Sequence, residues 1–301
     1  MTKRALVVGI NDYRNWHRAA PLRFSDLRFC RADATSFATL LPSFGFAPND
    51  ITLLEDGEAT RQAILDSLRS LLARAEAGDV VCLFYSGHGG RVPQNGWMVE
   101  STRFYETIVP YDGAMISDWE LTGIAQALDL SRVNFTIVLD SCHSGGVFDP
   151  PGDAALRSYG WSDGLIDLFT RACQTILPFV CARDPNALDN NVANPQRVNQ
   201  GVGVTVDPAK DFTNVARATL LSACNYNETA LENAGVGHGF FTQSILQTVN
   251  QSNFTMSHTD FLAALRPKVA ALAGSHPQTP QLRGRPIRLE EPFLAEWNYS
   301  V

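Results

Sequence analysis

The chain predicts an α/β fold: a mainly parallel central sheet flanked by helices on both faces. Three observations carry this. Short apolar, β-prone runs recur at Ala5 to Ile10, Ile51 to Leu54, Val80 to Phe84 and Phe135 to Leu139. The last two end in Gly-rich turns, as strands buried on both faces do. The runs alternate with segments of helical spacing, and that alternation implies parallel strands joined by helices.

The elements follow in order. After the first strand, Leu27, Cys30, Ala34, Phe37 and Leu41 recur at helical spacing. The second strand follows at Ile51. Thr60 then stands as an N-cap before a helix carrying Ile64, Leu68, Leu71 and Leu72. Beyond the Val80 strand, the stretch with Trp97, Tyr105 and Ile108-Val109-Pro110 reads as irregular. A helix over roughly Asp118 to Leu128 leads into the Phe135 strand. The texture changes after Asp149. From Pro150 to Asn214 the chain is rich in Pro, Asn, Asp and Gly, with Leu165 to Val180 at helical spacing and Asn186 to Gly203 reading as an exposed loop. Order returns with a strand at Ala218 to Cys224 and helices over Phe240 to Val249 and His258 to Leu272. The predicted organisation is residues 1–149, an insert at 150–214, and 215–301, making one domain in all.

Composition narrows the function. The 301 residues are 45% hydrophobic, enough for a real core, and carry a formal charge of −7. No basic block offsets that charge, which argues against nucleic acid as a partner. The six cysteines show no CxxC spacing and no paired Cys/His cluster for zinc. They suit a reducing compartment. No secretory signal and no membrane-length apolar stretch is read, so the expectation is a cytoplasmic protein without a membrane partner.

Two strings carry the chemistry. Tyr85-Ser86-Gly87-His88-Gly89-Gly90 and Asp140-Ser141-Cys142-His143-Ser144-Gly145-Gly146 each follow a predicted buried strand. The carboxyl edge of an open α/β sheet is where ligands bind. Adjacent strands lie about 4.8 Å apart. If these two are neighbours, a thiol and an imidazole meet there, the minimum parts of a cysteine nucleophile and its base. His143 adjoins Cys142, but successive residues project in diverging directions, so His88 is the favoured base. The backbone N–H groups of Gly89 and Cys142 are candidates for an oxyanion hole. The chemistry needs no cofactor.

These strings closely resemble those of metacaspases and related bacterial caspase-like peptidases. Val7-Val8-Gly9-Ile10-Asn11 is similar to that family's first strand, and Leu27 to Ala34 to its first helix. Leu221-Ser222-Ala223-Cys224 and Gly239-Phe240-Phe241-Thr242 resemble its small-subunit landmarks, and Gln278-Thr279-Pro280-Gln281 its C-terminal end. The resemblance implies the caspase–hemoglobinase fold and a cysteine endopeptidase acting on protein or peptide substrates. Residues 1–149 then correspond to a large-subunit-like region and 215–301 to a small-subunit-like one. By the same resemblance Cys30, Asp33, Ser86 and Asp140 would line the S1 pocket. Two carboxylates there welcome a cation and repel an acidic side chain, so cleavage after Arg, with Lys second, is expected. Asp140 has a competing reading as a strand-end carboxylate that caps nearby backbone N–H groups.

The family resemblance also suggests calcium as an activator, with Asp118, Asp149 and Glu106 as candidate ligands and Asp112 as a further oxygen donor. Trp119 stands where the family often has a second aspartate. Calcium takes six to eight oxygens, so these candidates are few. Asp118 is equally readable as a carboxylate at a helix N-terminus. In the insert, Arg183 and Arg197 flank the least apolar stretch and are candidate self-cleavage sites, or ordinary solubilising arginines. An activating partner protein is left open. Two rivals remain: a caspase-fold protease with Asp or Asn preference at P1, and a non-catalytic caspase-like scaffold.

Overall fold

The computed structural model describes residues 1–17, 24–93, 104–112, 114–126, 129–141, 154–156, 217–225, 228–250 and 255–297. Elements are numbered in chain order among these. The strands are β1 (Lys3–Gly9), β2 (Ile51–Glu55), β3 (Val80–Ser86), β4 (Gly89–Pro93), β5 (Phe104–Ile108), β6 (Ile116–Ser117), β7 (Asn134–Asp140), β8 (Ala154–Leu156), β9 (Thr219–Ser222), β10 (Leu231–Asn233), β11 (His238–Gly239) and β12 (Gln281–Arg283). The helices are α1 (Arg14–His17), α2 (Cys30–Leu40), α3 (Arg61–Ala73), α4 (Asp118–Gln126), α5 (Phe240–Val249), α6 (His258–Ala273) and α7 (Pro286–Leu289).

The central sheet runs β12-β9-β7-β3-β1-β2. Its strands pair in parallel except at the β12 edge, which is antiparallel to β9. Alternating side chains point to opposite faces of a strand, and two hydrophobic clusters result. Leu6, Val8, Val81, Leu83, Phe135 and Ile137 pack with Ile64, Leu68 and Leu72 of α3 and Leu121 of α4. On the other face Val7, Cys82, Phe84 and Val138 pack with Phe37 of α2, Phe241 and Ile245 of α5 and Phe261 and Leu265 of α6. Helices therefore cover both faces of a mainly parallel sheet, as the sequence pattern implies.

Local signals explain several boundaries. The Thr60 hydroxyl accepts the Ala63 N–H at 3.1 Å and starts α3 as an N-cap. Gly9 ends β1 where α2 crosses it. A Cβ there would lie 2.4 Å from the Cys30 carbonyl oxygen and 2.6 Å from the Ala34 methyl, so only glycine lets the helix approach this closely. At the C-terminal end, the buried Arg288 of α7 donates to the carbonyls of Val133, Leu130 and Ser131 and to Glu291. That cation ties the last part of the chain to the loop feeding β7.

Two segments depart from expectation. The stretch read as irregular forms an antiparallel sheet, β4-β5-β6. Its first strand opens on Gly89-Gly90, residues that signal a turn, and its last is two residues long. Strands this short leave little periodicity to read. Within the predicted insert, Ala154–Leu156 forms β8 and pairs antiparallel with β10. The remainder of the insert, including the Leu165 to Val180 segment, lies outside the described residues. No helix among those described is long and apolar enough to cross a membrane.

Candidate active site

β3 and β7 are neighbours and run parallel, with Ser86 beside Asp140 at their carboxyl ends. The two chemistry-bearing strings thus leave the sheet side by side. His88 follows β3 after one glycine and is 1% exposed. Its ring lies edge-on to Tyr13, with centroids 4.5 Å apart, and 5.1 Å from Phe24. Nε2 of His88 is 2.7 Å from the Ser25 carbonyl oxygen. A carbonyl only accepts, so Nε2 carries the ring proton and Nδ1 presents the lone pair of the neutral imidazole.

The backbone of the same turn is held from beneath. The His88 N–H donates to the Tyr13 hydroxyl at 2.8 Å. The Tyr85 hydroxyl donates to the His88 carbonyl at 2.7 Å and lies 2.9 Å from that of Val109. Burial beside Tyr85 pushes the Tyr13 pKa well above the usual phenol range, so its hydroxyl stays protonated. A Cβ on Gly87 would stand 2.5 Å from the Tyr13 oxygen and 2.6 Å from the Tyr85 oxygen. That close approach is the physical reason for glycine between Ser86 and His88. The Val109 N–H donates to the His88 carbonyl at 3.1 Å, while Gly89 pairs opposite Ile108. Ladder bonds alternate along an antiparallel pair. His88 and Gly90 therefore face β5, and the Gly89 N–H points the other way.

A second group of polar side chains gathers on the α2–α5 side of the sheet end. Asp33, Ser86 and Asp140 are all fully buried. Asp33 Oδ2 accepts the Ser86 hydroxyl at 2.8 Å. Asp33 Oδ1 accepts His238 Nδ1–H at 2.9 Å and the Gly239 N–H at 3.1 Å. Asp140 Oδ2 accepts both the Thr242 N–H at 3.1 Å and its hydroxyl at 2.6 Å. Thr242 is the third residue of α5, whose N-cap Gly239 has no side chain to offer. Asp140 thus does the capping work from another strand. The capping reading of Asp140 is realised, and the carboxylate still stands next to Ser86 and, through it, Asp33.

The other predicted site residues fall as follows. Cys30 is buried in the cluster that holds Tyr13, Phe24 and Leu27, on the His88 side of the α2 start. Asp118 is the first residue of α4, the position its helix-terminus reading requires. Glu106 lies in β5 opposite Arg91. Cys142, Asp149, Arg183 and Arg197 lie outside the described residues. Asp112 accepts the Arg61 N–H at 3.0 Å, and Arg61 forms an ion pair with Glu120. No group of three or more His, Cys, Asp or Glu side chains suited to a metal occurs among the described residues.

Sequence reasoning missed four participants. Ser25 acts through its carbonyl, which leaves no side-chain signal. Tyr85 was in plain view, adjoining Ser86. Tyr13 and His238 are distant in sequence, and only the fold brings them to His88 and Asp33.

Residues 2–289 match the family description of the caspase domain. The chain belongs to the caspase-domain family. Metacaspase-9 of Arabidopsis thaliana is 35% identical over 280 residues, covering 80% of this chain and 84% of that protein. Metacaspase-7 of the same plant is 37% identical over 155 residues, covering 50% of this chain but 36% of that protein. The chain thus spans little more than a third of metacaspase-7, and 35% of metacaspase-4. The crystal structure of a Geobacter sulfurreducens protein superposes with a TM-score of 0.66 over 99% of this chain and all of that one, at 22% identity. That likeness shows the shared fold. The metacaspase resemblance and the caspase-like architecture expected of this caspase domain therefore both hold.

Proposed function

We propose that this protein is a cysteine endopeptidase that cleaves peptide bonds after Arg, with Lys second. The observation that carries the reading is His88: a buried imidazole at the carboxyl end of β3, with its ring proton committed to Ser25, beside the strand that runs into Cys142. In this reading Nδ1 of His88 takes the Cys142 thiol proton, and the thiolate attacks the scissile carbonyl carbon. The Ser25 carbonyl stabilises the imidazolium through Nε2–H. The N–H groups of Gly89 and Cys142 receive the oxyanion. His88 then returns the proton to the leaving amine as the C–N bond breaks. Water attacks the thioester, passes a proton to His88 and frees the thiolate.

The buried carboxylates of Asp33 and Asp140 around Ser86 support the basic preference, because an acidic side chain brought among them meets like charge. Self-processing at Arg183 or Arg197, and activation by calcium through Asp118, Asp149 and Glu106, belong to the same proposal. The test is hydrolysis of fluorogenic peptides with Arg, Lys, Asp or Asn at P1, by wild type and Cys142→Ala, with calcium and with chelator. Cys142-dependent release from the Arg peptide is expected. Faster turnover of the Asp or Asn peptide refutes the basic preference, and no turnover of any peptide favours a scaffold.

A further inference from the structure

The segment that orients His88 is itself irregular. Residues 24–29 form no helix or strand, yet they bring the Phe24 ring to the imidazole and the Ser25 carbonyl to Nε2. Asp26 accepts the Tyr13 N–H at 2.8 Å, and the Tyr13 hydroxyl accepts the His88 N–H. We propose that Glu232, 204 positions beyond Arg28, is a positioning residue for the Ser25 carbonyl and through it for the base. The inference rests on the reading of His88 as the base of the proposed peptidase.

Glu232 lies in β10 and is fully buried. Its two carboxylate oxygens accept the Arg28 N–H at 2.9 Å and the Phe29 N–H at 3.1 Å. These donors stand where the segment turns into α2, and the first N–H groups of a helix have no partner within it. Phe29 occupies the N-cap position and has no side-chain oxygen to offer. The carboxylate therefore fixes the point at which the irregular segment ends. Ser25 precedes Arg28 by three residues, so a displacement at Arg28 carries to the carbonyl that holds Nε2–H. Ser25, Asp26 and Arg28 are exposed, and packing alone does not hold them.

The strand that presents Glu232 is braced. The Leu231 N–H donates to the Gln278 side-chain oxygen at 3.2 Å, and the Gln278 amide nitrogen donates to the Ala223 carbonyl at 3.3 Å. Glu232 itself pairs with Gly239 of β11 through the backbone. The acid side of the sheet end has separate supports. Asp33 accepts from Ser86, His238 and Gly239, and the body of α2 is packed through Ala34 and Phe37. Loss of the Glu232 carboxylate thus acts on the segment before α2 and leaves the Asp33 partners in place.

The experiment compares wild type, Glu232→Gln, Glu232→Ala and Thr60→Ala, the last removing the α3 N-cap as a control for general loss of stability. A Gln side chain has one acceptor oxygen and one NH2 group, so it serves only one of the two N–H groups. Steady-state kinetics use whichever P1 peptide wild type cleaves fastest, at a temperature where the variants are folded. NMR on protein with isotope-labelled histidine follows water exchange of the His88 Nε2–H proton, assigned by its loss in His88→Ala. The expected kcat falls about tenfold in Glu232→Gln and about 10²-fold in Glu232→Ala, with KM within about twofold of wild type. The Nε2–H proton should exchange about tenfold faster in Glu232→Gln. Thr60→Ala should leave both readouts at wild-type values. If Glu232→Ala does not fold, Glu232→Gln decides. Unchanged kcat or unchanged exchange in Glu232→Gln, or equal losses in Thr60→Ala, overturn the role of Glu232 and leave the peptidase reading standing. A loss confined to KM assigns Glu232 to the Asp33 side and overturns it too. Wild type that cleaves no peptide overturns the peptidase reading, and this inference with it.

Discussion

The two sides of the sheet end are built on opposite principles. Around His88 the partners are neutral: two tyrosine hydroxyls, a phenylalanine ring and a backbone carbonyl. Around Asp33 and Asp140 every hydrogen bond named above ends on a carboxylate. As the proposed base, His88 must shuttle a proton, and these neutral partners hold its orientation and tautomer. In the proposed reading these carboxylates offer a pocket for a cation, and each is held by N–H and O–H donors. The sides also differ in reach. His88 is positioned by residues between Tyr13 and Val109, all in the first part of the chain. The acids are joined across 205 positions to His238 and across 102 to Thr242.

The contrast is broken most severely by removing the base. His88→Ala should lower kcat by about 10³-fold with little change in KM, read by steady-state kinetics on an Arg-P1 peptide. Asp140→Asn should do the reverse. The amide still accepts from Thr242 and keeps the cap, but the charge is gone. The expected result is a loss of about 10²-fold in kcat/KM, mostly in KM, with thermal stability nearly unchanged. A kcat-dominated loss would assign Asp140 to the His88 side.

Acid supplies a third, independent arm. His258 is buried between the Thr136 hydroxyl and the Glu291 carbonyl, and burial pushes its pKa down to about 4. The unfolded chain therefore takes up this proton more readily than the folded one. The associated stability is present above about pH 6.5 and is lost as pH falls towards 4, up to ~3 kcal/mol. Denaturant unfolding of wild type and His258→Gln across that range measures it. The variant should show a flatter acid limb, separating loss of the fold from loss of the site. The smallest effect is expected at Tyr85→Phe, which leaves the His88 carbonyl one donor fewer. A cost of about 1 kcal/mol and a kcat reduced about fivefold should appear, with P1 preference unchanged.

Much of this was legible in the sequence. The apolar runs gave the parallel strands, and Thr60 the start of α3. The Gly-bounded strings placed His88 at a sheet edge. These are local properties, set by side-chain periodicity and turn chemistry over a few residues. The β4-β5-β6 sheet was not legible, because its first strand opens on two glycines and its last is only two residues long. Asp140 left two roles open, and the structure fills one of them without excluding the other.

The sequence by itself determined the fold class, the strands that carry the two strings and the residue types available for catalysis, because burial pattern and backbone conformation are written locally. Only the tertiary structure decided that β3 and β7 are neighbours, that Ser25 offers a carbonyl to His88, that two tyrosines clamp its backbone, that His238 and Gly239 hold one oxygen of Asp33, and that Thr242 holds one oxygen of Asp140. Such partnerships depend on distance in space between residues far apart in the chain, and hydrogen bonds to backbone atoms leave no trace in side-chain identity.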